Sequence, residues 1–180
     1  MNSRLLRWSL TGIAGFLAVL IVAALIGTQL PSAHSSERAI RLDRPIDVVW
    51  DTVTDPETQA LWRKDIRQIE VLPDRGGLPV WRERYRNGRS LILQTSRLER
   101  PVLLVRSVAD PRAPFRGEWT YRLESTPSGT RLSIRETAVI ANPFFRFVSR
   151  FVLGHARATE KYLKFLAERF GEPLELETIN

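Results

Sequence analysis

The chain has 180 residues, no cysteine, two histidines and a formal charge of +7. The missing cysteines exclude disulfides, thiolate metal sites and cysteine nucleophiles, and His34 and His155 are too few for a multi-histidine metal centre. The arginines alternate with apolar residues, as at Arg82/Arg84 and Arg131/Arg135. That spacing describes solvated strand faces rather than a basic block, so no nucleic-acid partner is expected.

From Trp8 to Ser36 the sequence holds no Asp, Glu, Lys or Arg. The apolar run Leu10–Ile26 fits a bilayer core, which takes about 20 mostly apolar residues as a helix. Arg4 and Arg7 precede it, and Trp8 suits the interface. Positive charge before a first apolar segment favours a cytoplasmic N-terminus and a soluble domain on the periplasmic, extracytoplasmic side. Arg38, Arg41 and Arg44 on the other flank oppose that orientation. A cleaved signal peptide would have a shorter apolar core and a small-x-small site, which Pro31-Ser32-Ala33 matches poorly. The expectation is a single-pass anchor and linker over residues 1–34, touching the membrane through residues 8–30.

Pro31 to Ser36 reads as a linker and Ala39–Leu42 as a first strand. Pro45 opens a helix carrying Ile46, Val49, Trp50 and Val53, and Asp55-Pro56-Glu57 caps a second with Leu61 and Trp62. Strands follow over Ile66–Leu72, Val80–Tyr85, Ser90–Leu98, Val102–Val108, Gly117–Glu124 and Thr130–Ile140. Asn87-Gly88 marks a hairpin, and short connections predict an antiparallel sheet. Asn142-Pro143 opens one long helix to about Phe170, ended by Gly171 and Pro173. Its inward stripe is Val148, Phe151, Val152, His155, Thr159, Tyr162, Leu163, Leu166 and Phe170. Residues 172–180 read as a frayed acidic tail.

This order of elements resembles the START-like (SRPBCC) superfamily, the polyketide cyclase/dehydrase and lipid-transport proteins. Asp55, Pro56 and Trp62 stand where that family has its second helix, and the segment from Gly117 to Ile140 is similar to its last two strands. The resemblance covers about Glu37 to Gly171. It implies an α+β helix-grip fold over residues 35–171: a curved antiparallel sheet of about seven strands around a long C-terminal helix. It also implies a cavity for lipids or other apolar molecules, and carries no universal catalytic set.

Strand alternation puts Trp81, Glu83 and Tyr85 on one face, Trp119, Tyr121 and Leu123 on another, and Leu132, Ile134, Glu136, Ala138 and Ile140 on a third. With Phe151, His155 and Thr159 from the helix, the candidate ligand-binding residues are Trp81, Glu83, Trp119, Tyr121, Ile134, Glu136, Phe151, His155 and Thr159. A buried carboxylate needs a partner. Glu83 and Glu136 therefore read either as structural partners of an arginine such as Arg97, as polar contacts for a ligand, or as a general base with Tyr121 or His155 as acid. No nucleotide or hydrolase motif is present, and neither cofactor nor metal is expected. Three functions fit: a membrane-tethered module binding a hydrophobic small molecule or lipid, a cyclase/dehydratase-like enzyme, and a tethered interaction domain with a filled core. Binding is the leading reading.

Overall fold

The computed structural model describes residues 3–154 and 156–179. A helix α1 (Ser3–Gln29) leads into strand β1 (Ala33–Leu42), and two short helices follow, α2 (Ile46–Thr54) and α3 (Pro56–Trp62). Strands β2 (Ile66–Arg75), β3 (Leu78–Tyr85), β4 (Ser90–Glu99), β5 (Leu103–Val108), β6 (Arg116–Thr126) and β7 (Gly129–Val139) come next. The chain closes with α4 (Pro143–Val148), a π-helical turn (Ser149–Leu153), α5 (Arg157–Phe170) and β8 (Glu177–Ile179). The strands form one antiparallel sheet in the order β2-β3-β4-β5-β6-β7-β1-β8.

The helix starts follow local chemistry. Asp55 accepts the Glu57 amide at 2.9 Å and Pro56 takes the first helical position of α3, where a missing N–H costs nothing. Asn142 accepts the amides of Phe144 and Phe145 at the start of α4. The main core lies between α5 and strands β1, β5, β6 and β7, with α2 and α3 closing one side. It holds Ile40, Leu42, Val49, Trp50, Val53, Trp62, Leu104, Leu123, Leu132, Leu163 and Leu166. A second cluster of Trp81, Leu93 and Val108 lies on the β3–β5 part of the sheet, with Ile69, Leu91, Ala113, Phe115 and Trp119 half-buried against it.

Three expectations are corrected here. The long C-terminal helix is interrupted, because Gly154 takes a φ of +75° after the π turn and redirects the chain before α5. The inward stripe therefore holds from Thr159 onward, whereas Phe151 and Val152 are 60% and 63% exposed. The acidic tail is not frayed: β8 pairs with β1, and Glu177 bonds Arg41 at 2.8 Å and Arg131 at 3.0 Å. Nor is there a six-residue linker, since β1 begins at Ala33.

Within α1, the stretch Gly12–Gln29 is long and apolar enough to cross a membrane, a description that also fits a signal sequence. The helix packs against α4 rather than standing free. A Cβ added to Gly27 would lie 1.9 Å from the Pro143 carbonyl oxygen, so only glycine permits this approach.

Candidate functional site: a polar row on the concave sheet face

Register places five residues in one transverse row. Thr95 pairs with Arg106, Arg106 with Trp119, Trp119 with Glu136, and Glu136 with Ser36. Because side chains alternate, the whole row faces the side covered by α5. Thr95, Arg106 and Glu136 are buried; Trp119 and Ser36 are half-buried.

Glu136 accepts a 2.8 Å hydrogen bond from the Thr159 hydroxyl at the start of α5. Burial pushes its carboxyl above the usual glutamate range, and the Thr159 hydroxyl and the Trp119 indole offset only part of that shift. No arginine or lysine pairs with it among the described salt bridges.

Arg106 is 2% exposed and has no described salt-bridge partner. Its guanidinium lies 4.8 Å from the Trp81 ring centroid and 5.5 Å from that of Tyr121, and one nitrogen donates to the Val53 carbonyl. Its Nε is buried without a hydrogen-bond partner in the protein. Ser36 Oγ, Gln59 Nε2, Trp62 Nε1 and the Tyr162 hydroxyl share that condition. Such groups are costly inside a domain. Arg106 and Glu136 sit two strands apart, about 10 Å, too far to satisfy each other directly.

The second carboxylate, Glu83, behaves differently. It accepts from Arg63 at 2.8 Å, from the Trp81 indole at 3.3 Å and from the Tyr85 hydroxyl at 2.6 Å. Burial alone would raise its pKa, but the Arg63 guanidinium and the Tyr85 hydroxyl outweigh burial and hold it below the usual range. Glu83 thus has the arginine partner expected of a structural carboxylate. That partner is Arg63, at the end of α3, and not Arg97, which bonds Glu99 instead.

Most of the anticipated site residues converge. Trp81, Glu83, Trp119, Tyr121, Glu136 and Thr159 share the concave side, and Trp81 links the two carboxylate neighbourhoods by bonding Glu83 while stacking on Arg106. Ile134 is packed in the α5 core. Phe151 is not in the site, because the π turn and Gly154 place it on an exposed surface before α5. His155 lies outside the described residues. Arg106 was missed by assigning arginines to solvent faces as a class. Its signal was present in the alternation Leu104-Arg106-Val108, which puts it on a face shared with two apolar residues.

A depression of about 570 Å³ crosses the end of the sheet, lined by residues of β1, β5, β6 and β7. Four of its lining residues, His34, Val108, Gly117 and Ala138, form the inward row next to Glu136. Gly117 lets the rings of Phe115 and Trp119 close over the backbone there, since a Cβ would lie 3.1 Å from Phe115 and 3.6 Å from Trp119.

Residues 33–175 match the family described as Polyketide cyclase / dehydrase and lipid transport. The chain belongs to this family. Solved structures agree on the fold of the cyclase/dehydrase and lipid-transport domain. A START superfamily protein from Mycobacterium smegmatis is similar with a TM-score of 0.61 at 15% identity, covering 77% of this chain and 97% of that one. A protein from Thermus thermophilus gives 0.60 at 22% identity, covering 77% and 96%. The di-domain ARO/CYC BexL from the BE-7585A biosynthetic pathway gives 0.57 at 19% identity, with 93% of this chain covered but 56% of that one. At these identities the likeness concerns fold alone. No curated protein matches the sequence.

Proposed function

We propose that this family member is a membrane-tethered module that binds a hydrophobic small molecule or lipid against the concave face of its grip sheet. The observation that carries this reading is the row Arg106–Trp119–Glu136. It sets an arginine without a carboxylate partner and a carboxyl without a cation on either side of a half-buried indole. A ligand with an apolar body would lie on Trp119 and the Trp81/Leu93/Val108 cluster. An acidic or carbonyl oxygen would meet Arg106, and a hydroxyl or amide would meet Glu136. The depression beside Gly117 and Ala138 is the route of entry.

The test combines two variants of the full-length protein with an environment-sensitive apolar fluorophore. Trp119→Ala is expected to weaken probe binding about five- to thirtyfold, since stacking and burial on an indole contribute on the order of 1–2 kcal/mol. Glu136→Gln is expected to leave probe binding within about twofold and to change the pH profile of stability. The sign follows from the raised folded-state pKa. Below the ordinary glutamate range both states are protonated. As pH rises from that range through the raised value, ionisation is penalised only in the folded state, so stability falls. Glu136→Gln should abolish that loss. Unchanged probe binding in Trp119→Ala would sink the proposed site.

The cyclase/dehydratase-like reading draws on the same pair. A protonated Glu136 could act as an acid while Arg106 stabilises an enolate oxygen. Turnover of a polyketide-type substrate that is lost in both Glu136→Gln and Arg106→Met would favour it over binding alone.

A further inference from the structure

The segment Pro143–Leu153 reads Pro-Phe-Phe-Arg-Phe-Val-Ser-Arg-Phe-Val-Leu. Its aromatic content is high, yet it adds little to the domain core. Phe145, Phe151 and Val152 are 45%, 60% and 63% exposed, and Phe144, Phe147 and Val148 are half-buried. The rings of Phe147 and Phe151 lie 5.0 Å apart, forming an apolar ridge. A ridge of this kind facing water would be an aggregation liability.

The surroundings of the ridge identify what covers it. Phe147 lies along α1, lining a 290 Å³ groove with Ala18, Val19, Val22, Ala23 and Ile26. Val22 precedes the end of α1 by seven residues, which at the helical rise is about 10 Å. Gly27 brings the α1 backbone onto Pro143. Arg146 closes the joint, donating to the carbonyls of Ile140, Ala141 and Leu30. Only Leu30 to Ser32 separates α1 from β1, and the Ile140 amide bonds the Ser32 carbonyl at 2.8 Å. This joint sets the segment alongside α1 at fixed depth. Val19 and Val22, both exposed and apolar, join α1 to the ridge across this groove.

We propose that α4 and the π turn enter the bilayer as a second membrane element, packed on α1 in the leaflet next to the domain. The proposal rests on reading α1 as a membrane span. Helical backbone satisfies its own polar groups, so this segment meets the condition for entering lipid. Arg150, exposed beside the ridge, can extend its head group to phosphates while its stem stays in the apolar layer. The end of the sheet that carries the depression beside Glu136 is the end from which α1 and α4 leave. A ligand would then pass between lipid and the concave face without crossing water.

The lack of cysteine allows single-site labelling. Full-length Phe151→Cys, Val152→Cys and Phe145→Cys would be placed in phosphatidylcholine/phosphatidylglycerol nanodiscs and treated with a membrane-impermeant maleimide. Val19→Cys in α1 and Arg169→Cys on the exposed face of α5 serve as references. Labelling at the three ridge positions is expected to be slowed at least about tenfold against Arg169→Cys and to match Val19→Cys. Ridge positions that label as fast as Arg169→Cys while Val19→Cys stays protected would overturn the second element and leave the anchor standing. Rapid labelling of Val19→Cys, or a chain that does not stay with the nanodisc, would overturn both.

Discussion

Replacing Arg63 with alanine is expected to destabilise the domain by about 3–5 kcal/mol, the usual cost of stripping a buried ion pair of one partner. Glu83 is 1% exposed and would keep its bonds to Trp81 and Tyr85 but lose its cation. The pair also ties α3 to β3, since Arg63 sits at the end of one and Glu83 within the other. The pH dependence has a definite sign. In the wild type the Glu83 pKa is depressed, so its contribution is present above the ordinary glutamate range and is lost as pH falls through the depressed value. In Arg63→Ala only the Tyr85 and Trp81 hydrogen bonds still oppose burial, the carboxyl shifts upward, and this acid-side loss shrinks. The double variant Arg63→Met/Glu83→Gln keeps an acceptor for the Trp81 and Tyr85 donors and should recover most of the stability. Urea denaturation across pH measures all three. A loss below about 1 kcal/mol for Arg63→Ala would mean the pair is screened by water like a surface bridge.

Leu163→Asp is expected to unfold the domain, whereas Phe151→Asp should leave its melting temperature nearly unchanged. Leu163 is fully buried in the α5 core, packed among apolar side chains. Burying that charge costs several kcal/mol, a large part of a domain's stability. Phe151 is 60% exposed on the ridge outside the core, so a charge there spares the packing of α5 against the sheet. Its effect should instead appear in membrane association. Thermal unfolding of the two full-length variants in detergent separates the positions. Equal destabilisation would mean that the π turn continues the inward stripe after all.

The contrast between these positions shows how far periodicity reads. Leu163 and Phe151 fall at opposite edges of one broad helical stripe in sequence, and a 3.6-residue period assigns both of them inward. Gly154 is the visible warning, because a glycine inside a helical pattern permits a positive φ that ends the helix. Whether it does so depends on what lies on either side. Here α1 captures the first half through Gly27 and the sheet captures the second through Thr159 and Glu136.

Much of this protein was determined by local sequence. The strands, the two capped helices, the apolar N-terminal segment and the inward faces of β3, β6 and β7 follow from alternation, capping and hydrophobic spacing, which are properties of neighbouring residues. The face that holds Trp119, Tyr121 and Glu136 was legible for that reason. Tertiary structure alone decided which charges meet. Arg63 rather than Arg97 neutralises Glu83, Arg106 enters the interior without a carboxylate, and residues 177–179 join the sheet. Each depends on strand register and helix placement, which bring together residues distant in sequence, and no local pattern encodes those distances.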